Sequence, residues 1–85
     1  MTMRVLKFSA SWCEPCKQLS KTLEAMDFPY EVSEVDVDTN RIASVEYGIR
    51  TVPTMILVDE NNNQLKRVSG SMTQSQLIEA FGLEK

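Results

Sequence analysis

The sequence has 85 residues, of which 42% are hydrophobic and 25% charged, and this length suits one compact domain with a single core. We therefore expect one domain over residues 1–85. The formal net charge is -3, without a run of like charge, which argues against nucleic acid or an anionic membrane as the main partner. No apolar stretch has the length of a signal peptide or a membrane-spanning helix, so we expect a cytoplasmic protein and, at this size, a monomer.

The first half of the sequence predicts a strand, a helix and a second strand. Residues 3–8 are mostly apolar and indicate a strand. From Cys16 onward, apolar residues recur at spacings of three and four, which indicates a helix with Pro15 in its first turn. Residues 30–37 then indicate a second strand, in which Val35 and Val37 alternate with Glu34 and Asp36.

The second half predicts a short helix, two strands and a closing helix. Asp38 or Thr39 is suited to cap the short helix, which Gly48 ends. Residues 55–58 form a continuous apolar run, which is typical of a strand buried on both faces, and residues 65–68 return as its hairpin partner.

A final helix follows, because Thr73 and Gln76 have the spacing of a capping box. The predicted order is thus βαβαββα. A right-handed crossover makes the first two strands parallel, and the hairpin adds antiparallel strands. We therefore expect an α/β fold with a four-stranded mixed sheet of order 2-1-3-4 and helices on both faces.

The two cysteines of the sequence, Cys13 and Cys16, lie between the first strand and the first helix. A disulfide across so few residues removes little chain entropy, so its purpose is chemistry rather than stability. At a strand-to-helix junction, the first sulfur lies over free backbone N–H groups and the positive end of the helix dipole, which favour a thiolate. We therefore expect Cys13 to be the nucleophile and Cys16, on the apolar helix face, to be the more buried resolving thiol.

Two other interpretations of the cysteine pair stay open. Both cysteines can be small core residues, although Cys-x-x-Cys beside a βαβ pattern is typical of a redox motif. A zinc site usually takes four ligands, and this sequence has two cysteines and no histidine, so a metal site would need two chains. We expect neither a metal nor any cofactor other than the redox-active disulfide.

Three segments together resemble the thioredoxin family: Trp-Cys-Glu-Pro-Cys-Lys at residues 12–17, Tyr-Gly-Ile-Arg-Thr-Val-Pro-Thr at residues 47–54, and Gly70 ahead of the last helix. The resemblance covers nearly the whole chain. It implies a thioredoxin-like fold and a protein-disulfide reductase that a flavoprotein thioredoxin reductase regenerates. It also implies that the Val52-Pro53 bond is cis and that Pro53 lies against the cysteines; an ordinary turn proline is the alternative.

The resemblance further implies a groove beside the nucleophile in which protein substrates bind. Its residues are Trp12, Val52, Pro53, Gly70 and Ser71. A glycine suits such a groove because its backbone lets another chain approach closely. For Trp12, a partly buried packing role is the alternative to direct contact with substrate.

The sequence departs from the family pattern in three respects. We expect that it lacks the extra N-terminal strand and helix of full-length thioredoxins, which makes it similar to minimal thioredoxins. Glu14 replaces the usual small residue after the first cysteine, and because its charge opposes a thiolate, we predict that it raises the pKa of Cys13. Lys7 and Glu34 stand where many thioredoxins carry a buried Asp and its Lys partner.

Because a lysine on a covered central strand needs a partner, we predict a Lys7 to Glu34 pair beneath Cys16. In this hypothesis Glu34 assists proton transfer to or from Cys16. The alternative is that Lys7 extends to water and that Glu34 is a solvated surface residue.

Two other functions compete with a general disulfide reductase. The first is a glutaredoxin-type enzyme that uses glutathione. Trp12 and the absence of a Gly-Gly pair near Gly70 make the sequence less similar to that class. The second is a non-catalytic binding subunit with a thioredoxin fold, in which the cysteines are dispensable.

Overall fold

The computed structural model describes residues 2–83. The strands are β1 (Arg4–Ser9), β2 (Glu31–Asp36), β3 (Thr54–Val58) and β4 (Gln64–Ser69), and the helices are α1 (Glu14–Glu24), α2 (Arg41–Glu46) and α3 (Gln74–Ala80). The sheet order is β2-β1-β3-β4. Strand β1 runs parallel to β2 and antiparallel to β3, which is antiparallel to β4. The predicted element order and sheet are confirmed.

The two faces of the central strands pack against different helices. On one face, β1 and β3 contact α1 and α3 through Val5, Leu19, Met55, Leu57, Leu77 and Phe81. On the other face, Leu6, Phe8, Ile56 and Val58 meet the α2 segment through Ala43, Tyr47 and Ile49. Every residue of β3 is buried, as its continuous apolar run predicted, because helices cover both sides of the sheet.

Helix α2 begins later than predicted. Its N-cap is Asn40, whose side-chain oxygen accepts a hydrogen bond from the N–H of Ala43 at 3.3 Å. Asp38 instead accepts a hydrogen bond from Trp12, and the hydroxyl of Thr39 donates to the backbone carbonyl of Asp36. The two predicted residues, Asp38 and Thr39, were therefore wrong; Asn is as good a cap as Asp or Thr, so residue type alone does not distinguish the three positions.

The closing helix begins as predicted. The side chain of Thr73 accepts from the N–H of Gln76 at 3.2 Å, and the N–H of Thr73 donates to the Gln76 side chain at 2.9 Å. This capping box fixes the start of α3. Across residues 2–83, each helix is too short or too polar to span a bilayer.

Candidate active site

The two cysteines lie where β1 leads into α1. Cys13 is the N-cap of α1, Cys16 lies in its first turn, and a disulfide joins them with their Cα atoms 5.3 Å apart. The backbone N–H of Cys16 donates a hydrogen bond to Sγ of Cys13 at 3.1 Å. Because this N–H and the helix dipole both point at the sulfur, the position stabilises negative charge on Cys13.

The two cysteines are equally buried in the disulfide state. Cys13 is 4% exposed and Cys16 is 3% exposed, so the expectation that Cys16 is clearly more buried is wrong for this state. The reason is that Cys13 packs with Ala10, Val37 and Val52 in one small cluster. The asymmetry between the cysteines therefore rests on the N-cap position of Cys13.

The loop before β3 faces the disulfide. The Val52-Pro53 peptide bond is cis, and the carbonyl oxygen of Val52 lies 3.7 Å from Sγ of Cys13. Pro53 is buried, and its carbonyl accepts a hydrogen bond from the N–H of Gly70 at 2.8 Å. Val52, Pro53 and Gly70 thus lie together on the Cys13 side, and Ser71 follows as an exposed residue.

Trp12 forms the exposed edge of the site beside Cys13. It is 67% exposed, so a partly buried packing role does not describe it. Its indole N–H donates a hydrogen bond to a carboxylate oxygen of Asp38 at 2.9 Å. A shallow pocket of about 220 Å³ lies beside it, lined by Trp12, Val37, Ser44, Ile49, Arg50, Thr51 and Val52.

Several residues at this edge of the site were not among those the sequence identified. Asp38 was assigned only as a helix cap, and Val37 only as the end of a strand. The available signal was topological, since β2 runs parallel to β1, and parallel strands bring their carboxyl ends to the same edge of a sheet. That rule places the residues after β2 beside those after β1.

The predicted pair between Lys7 and Glu34 is present on the Cys16 side of the site. The two residues are register partners on β1 and β2, and Nζ of Lys7 lies 3.1 Å from Oε2 of Glu34. The Lys7 side chain is 3% exposed and that of Glu34 is 62% exposed. Lys7 therefore does not extend to water, whereas Glu34 does face solvent.

Two hydroxyl groups complete this cluster. Nζ of Lys7 also donates to Oγ of Ser20 on α1, and Oγ of Ser9 donates to Oε2 of Glu34 at 2.8 Å. The hydrogen bond from Ser9, followed by that from Lys7, holds the pKa of Glu34 below its ordinary value, while partial burial opposes this effect. A more acidic carboxyl group is a weaker base towards a thiol, which does not favour the predicted proton transfer through Glu34.

A pocket of about 270 Å³ connects this cluster to Cys16. Its lining consists of Ser9, Ala10, Ser11, Cys16, Lys17, Ser20, Glu34 and Asp36. It lies on the Lys7 side of the site, whereas the pocket beside Trp12 lies on the Cys13 side. Of the two cysteines, Cys16 lines the first of these pockets, whereas the second is lined by the neighbours of Cys13, Trp12 and Val52.

Glu14 lies exposed between the cysteines, with Oε1 3.3 Å from Nζ of Lys17. We predict that Glu14→Gly lowers the pKa of Cys13 in the reduced protein, because a negative charge beside the thiolate is removed. Solvent and Lys17 screen this charge. The expected change in the pKa is therefore about a few tenths of a pH unit, which corresponds to the small interaction energy of exposed charges. The pH dependence of Cys13 alkylation measures it. Glu14→Gln removes the same charge without adding a glycine, and an unchanged pKa in both variants contradicts the prediction.

A disulfide between cysteines three positions apart, at a helix N-terminus beside an open groove, defines a dithiol-disulfide oxidoreductase. The family model described as Thioredoxin matches residues 2–82. The chain is 30% identical over 77 residues to a thioredoxin of Pseudomonas aeruginosa, covering 86% of this chain and 70% of the relative. The X-ray structure of Fasciola hepatica thioredoxin superposes with a TM-score of 0.83 at 30% identity, covering 99% of this chain and 82% of the other. The chain belongs to the thioredoxin family, and Cys13 and Cys16 are its redox-active pair.

Proposed function

We propose that this protein reduces disulfide bonds in other proteins, with Cys13 as the attacking and Cys16 as the resolving sulfur. The observation that carries the proposal is the N-cap position of Cys13, whose Sγ accepts the Cys16 N–H at 3.1 Å. The same interaction that caps the helix stabilises the thiolate once the disulfide is reduced. Cys16 has no such position, so the sulfurs differ in role.

The proposed reaction has two exchange steps. First, the Cys13 thiolate attacks one sulfur of the target disulfide, so that a bond forms between Cys13 and the target while the other target sulfur leaves with the electron pair. Next, the Cys16 thiolate attacks Sγ of Cys13, closing the internal disulfide and releasing the second target sulfur. Two electrons pass to the target, and each released sulfur takes a proton from water.

We place the target chain in the groove formed by Trp12, Val52, Pro53, Gly70 and Ser71. The carbonyl of Val52, 3.7 Å from the Cys13 sulfur, is available to pair with the backbone of a bound chain. Gly70 has a φ of +92°, which disfavours other residues, and a Cβ built there meets nothing within 4 Å. The space above Gly70 is therefore open to an approaching backbone.

The oxidised pair needs an electron donor for the next cycle. We propose a flavoprotein thioredoxin reductase in the cytoplasm, and the internal disulfide as the redox group in place of any bound cofactor. Glutathione is the competing donor. The exposed Trp12 beside Cys13 and a Gly70-Ser71 sequence in place of a glycine pair favour the flavoprotein.

The test is the reduction of insulin disulfides with dithiothreitol as the electron source. We expect a rate far above that of dithiothreitol alone, and its loss after the reduced protein is alkylated with iodoacetamide. Exchanging dithiothreitol for glutathione separates the glutaredoxin-type reaction from the proposed one. No rate above background, in a folded protein, would refute general reductase activity and favour a narrowly specific reductase or a binding subunit.

A further inference from the structure

A buried positive charge lies on the resolving side of the active site. The Lys7 side chain is buried, and its Nζ is held between Ser20 of α1 and Glu34 of β2. Ser20 follows Cys16 by four residues on the same helix, a spacing that puts the two Cβ atoms about 5–6 Å apart. Both side chains line the pocket of about 270 Å³. The ammonium group is thus bound by a residue that lies one helical turn after Cys16 and lines the same pocket.

The other charges around Cys16 are closer to water than Lys7 is. Glu34 of β2 has a side chain that is 62% exposed, and Lys17 of α1 is 56% exposed and paired with Glu14. Asp36 at the end of β2 lines the pocket and accepts a hydrogen bond from the N–H of Asp38 at 2.8 Å.

On β3, the residue that faces Lys7 is the apolar Met55. Water screens exposed charges more strongly than buried ones. Among the charged groups around this pocket, the Lys7 ammonium is therefore the one that water screens least.

We infer that Lys7 is a positioning residue that stabilises the thiolate of Cys16 by its charge, and that the Cys16 proton leaves through the adjoining pocket to solvent. This inference rests on the proposed function, in which Cys16 resolves the mixed disulfide. The pocket has room for several water molecules. Glu34, which the Ser9 and Lys7 contacts make a weaker base, holds the ammonium in place instead of taking the proton.

The charge of Lys7 acts before the exchange step. The Cys16 thiol first loses its proton to water in the pocket. The thiolate then attacks Sγ of Cys13, the bond between Cys13 and Cys16 forms, and the bond between Cys13 and the target breaks with the electron pair on the target sulfur. A fixed positive charge nearby raises the thiolate fraction of Cys16 at neutral pH.

The test measures Cys16 alone, in a Cys13→Ser background, through the pH dependence of its alkylation by iodoacetamide. We expect Lys7→Met to raise the pKa of Cys16 by about one pH unit and Lys7→Arg to leave it near the parent value. Glu34→Gln should lower it or leave it unchanged, because a negative charge is removed. If Glu34 were instead the base that takes the Cys16 proton, Lys7→Met would not raise the pKa of Cys16 to a comparable extent.

The resolving rate gives a second readout that also separates the two roles. With both cysteines present, the decay of a preformed mixed disulfide at neutral pH should slow about threefold in Lys7→Met, since the thiolate fraction falls tenfold while the more basic thiolate is more nucleophilic. Glu34→Gln should not slow it. An unchanged Cys16 pKa in Lys7→Met, or slower decay in Glu34→Gln, would overturn the inference.

Lys7→Met is expected to fold, because the exposed Glu34 stays hydrated after its partner is removed. Ser20→Ala is a second variant that removes one Lys7 contact without touching the sheet, and it should raise the Cys16 pKa by a smaller amount in the same direction. A shift of the Cys16 pKa supports the inference even if insulin reduction fails. The titration needs no target protein, so failure of this inference can be distinguished from failure of the proposed function.

Discussion

Cys16→Ser is expected to stop the turnover of insulin and to leave the protein covalently attached to its target. Cys13 keeps its N-cap position and the N–H bond from residue 16, so the first exchange proceeds. Serine cannot attack the mixed disulfide, and the bond between Cys13 and the target persists. Mass spectrometry without reductant, after mixing the reduced variant with insulin, measures the adduct.

Cys13→Ser is the matched control, because it replaces sulfur by oxygen at the other cysteine of the same buried cluster. It should show neither turnover nor an adduct. Since the two substitutions are equal in size and burial, a difference between them reports the roles of the sulfurs. An adduct that forms through Cys16 in Cys13→Ser, with none through Cys13, would reverse the assignment of nucleophile and resolving thiol.

The sequence predicted best those elements whose residue pattern is compatible with only one kind of secondary structure and burial. Residues 55–58 are apolar on both alternating faces, so they require a strand covered on both sides, and β3 is buried throughout. The capping box at Thr73 and Gln76 is a local interaction that needs no tertiary contact to form. Patterns of this kind, which lie within one element, were sufficient to predict most of the strands and helices.

Contacts between segments distant in sequence were harder to predict. The hydrogen bond from Trp12 to Asp38 joins two loops 26 positions apart, and it withdraws Asp38 from the capping role that local pattern gave it. Cys13 is as buried as Cys16 because Val52 reaches it from a third segment. Periodicity describes one element at a time, so it cannot predict how loops cover each other.

For Lys7 and Glu34, the sequence predicted the pairing but not the exposure of each residue. The pairing follows from register, because a residue on a central strand has a fixed neighbour on the parallel strand beside it. The exposures do not follow, since Lys7 is covered by α1 through Ser20, whereas β2 is an edge strand that leaves Glu34 in solvent. Sequence thus predicted the partners, and only the packed helix showed which partner is buried.

Phe8→Ala is expected to lower the free energy of unfolding by about 3–5 kcal/mol, the usual cost of removing a buried aromatic side chain. Phe8 is 0% exposed on β1, where it packs between the sheet and the α2 segment with its ring centroid 5.6 Å from that of Tyr47. A domain of this size has a total stability of roughly 5–15 kcal/mol, so much of it is lost. The midpoint of urea unfolding measures the change.

Leu65→Ala is the control for Phe8→Ala, because it also shortens an apolar side chain on a strand of the same sheet, but one that is 51% exposed on β4. Its expected effect is within about 0.5–1 kcal/mol, since little apolar area returns to water. Because Phe8 supports the segment that leads through Tyr47 to the Val52-Pro53 loop, its loss should also weaken insulin reduction below the unfolding midpoint. Equal effects of the two substitutions would mean that the α2 face contributes little to the core, contrary to the burial of Phe8.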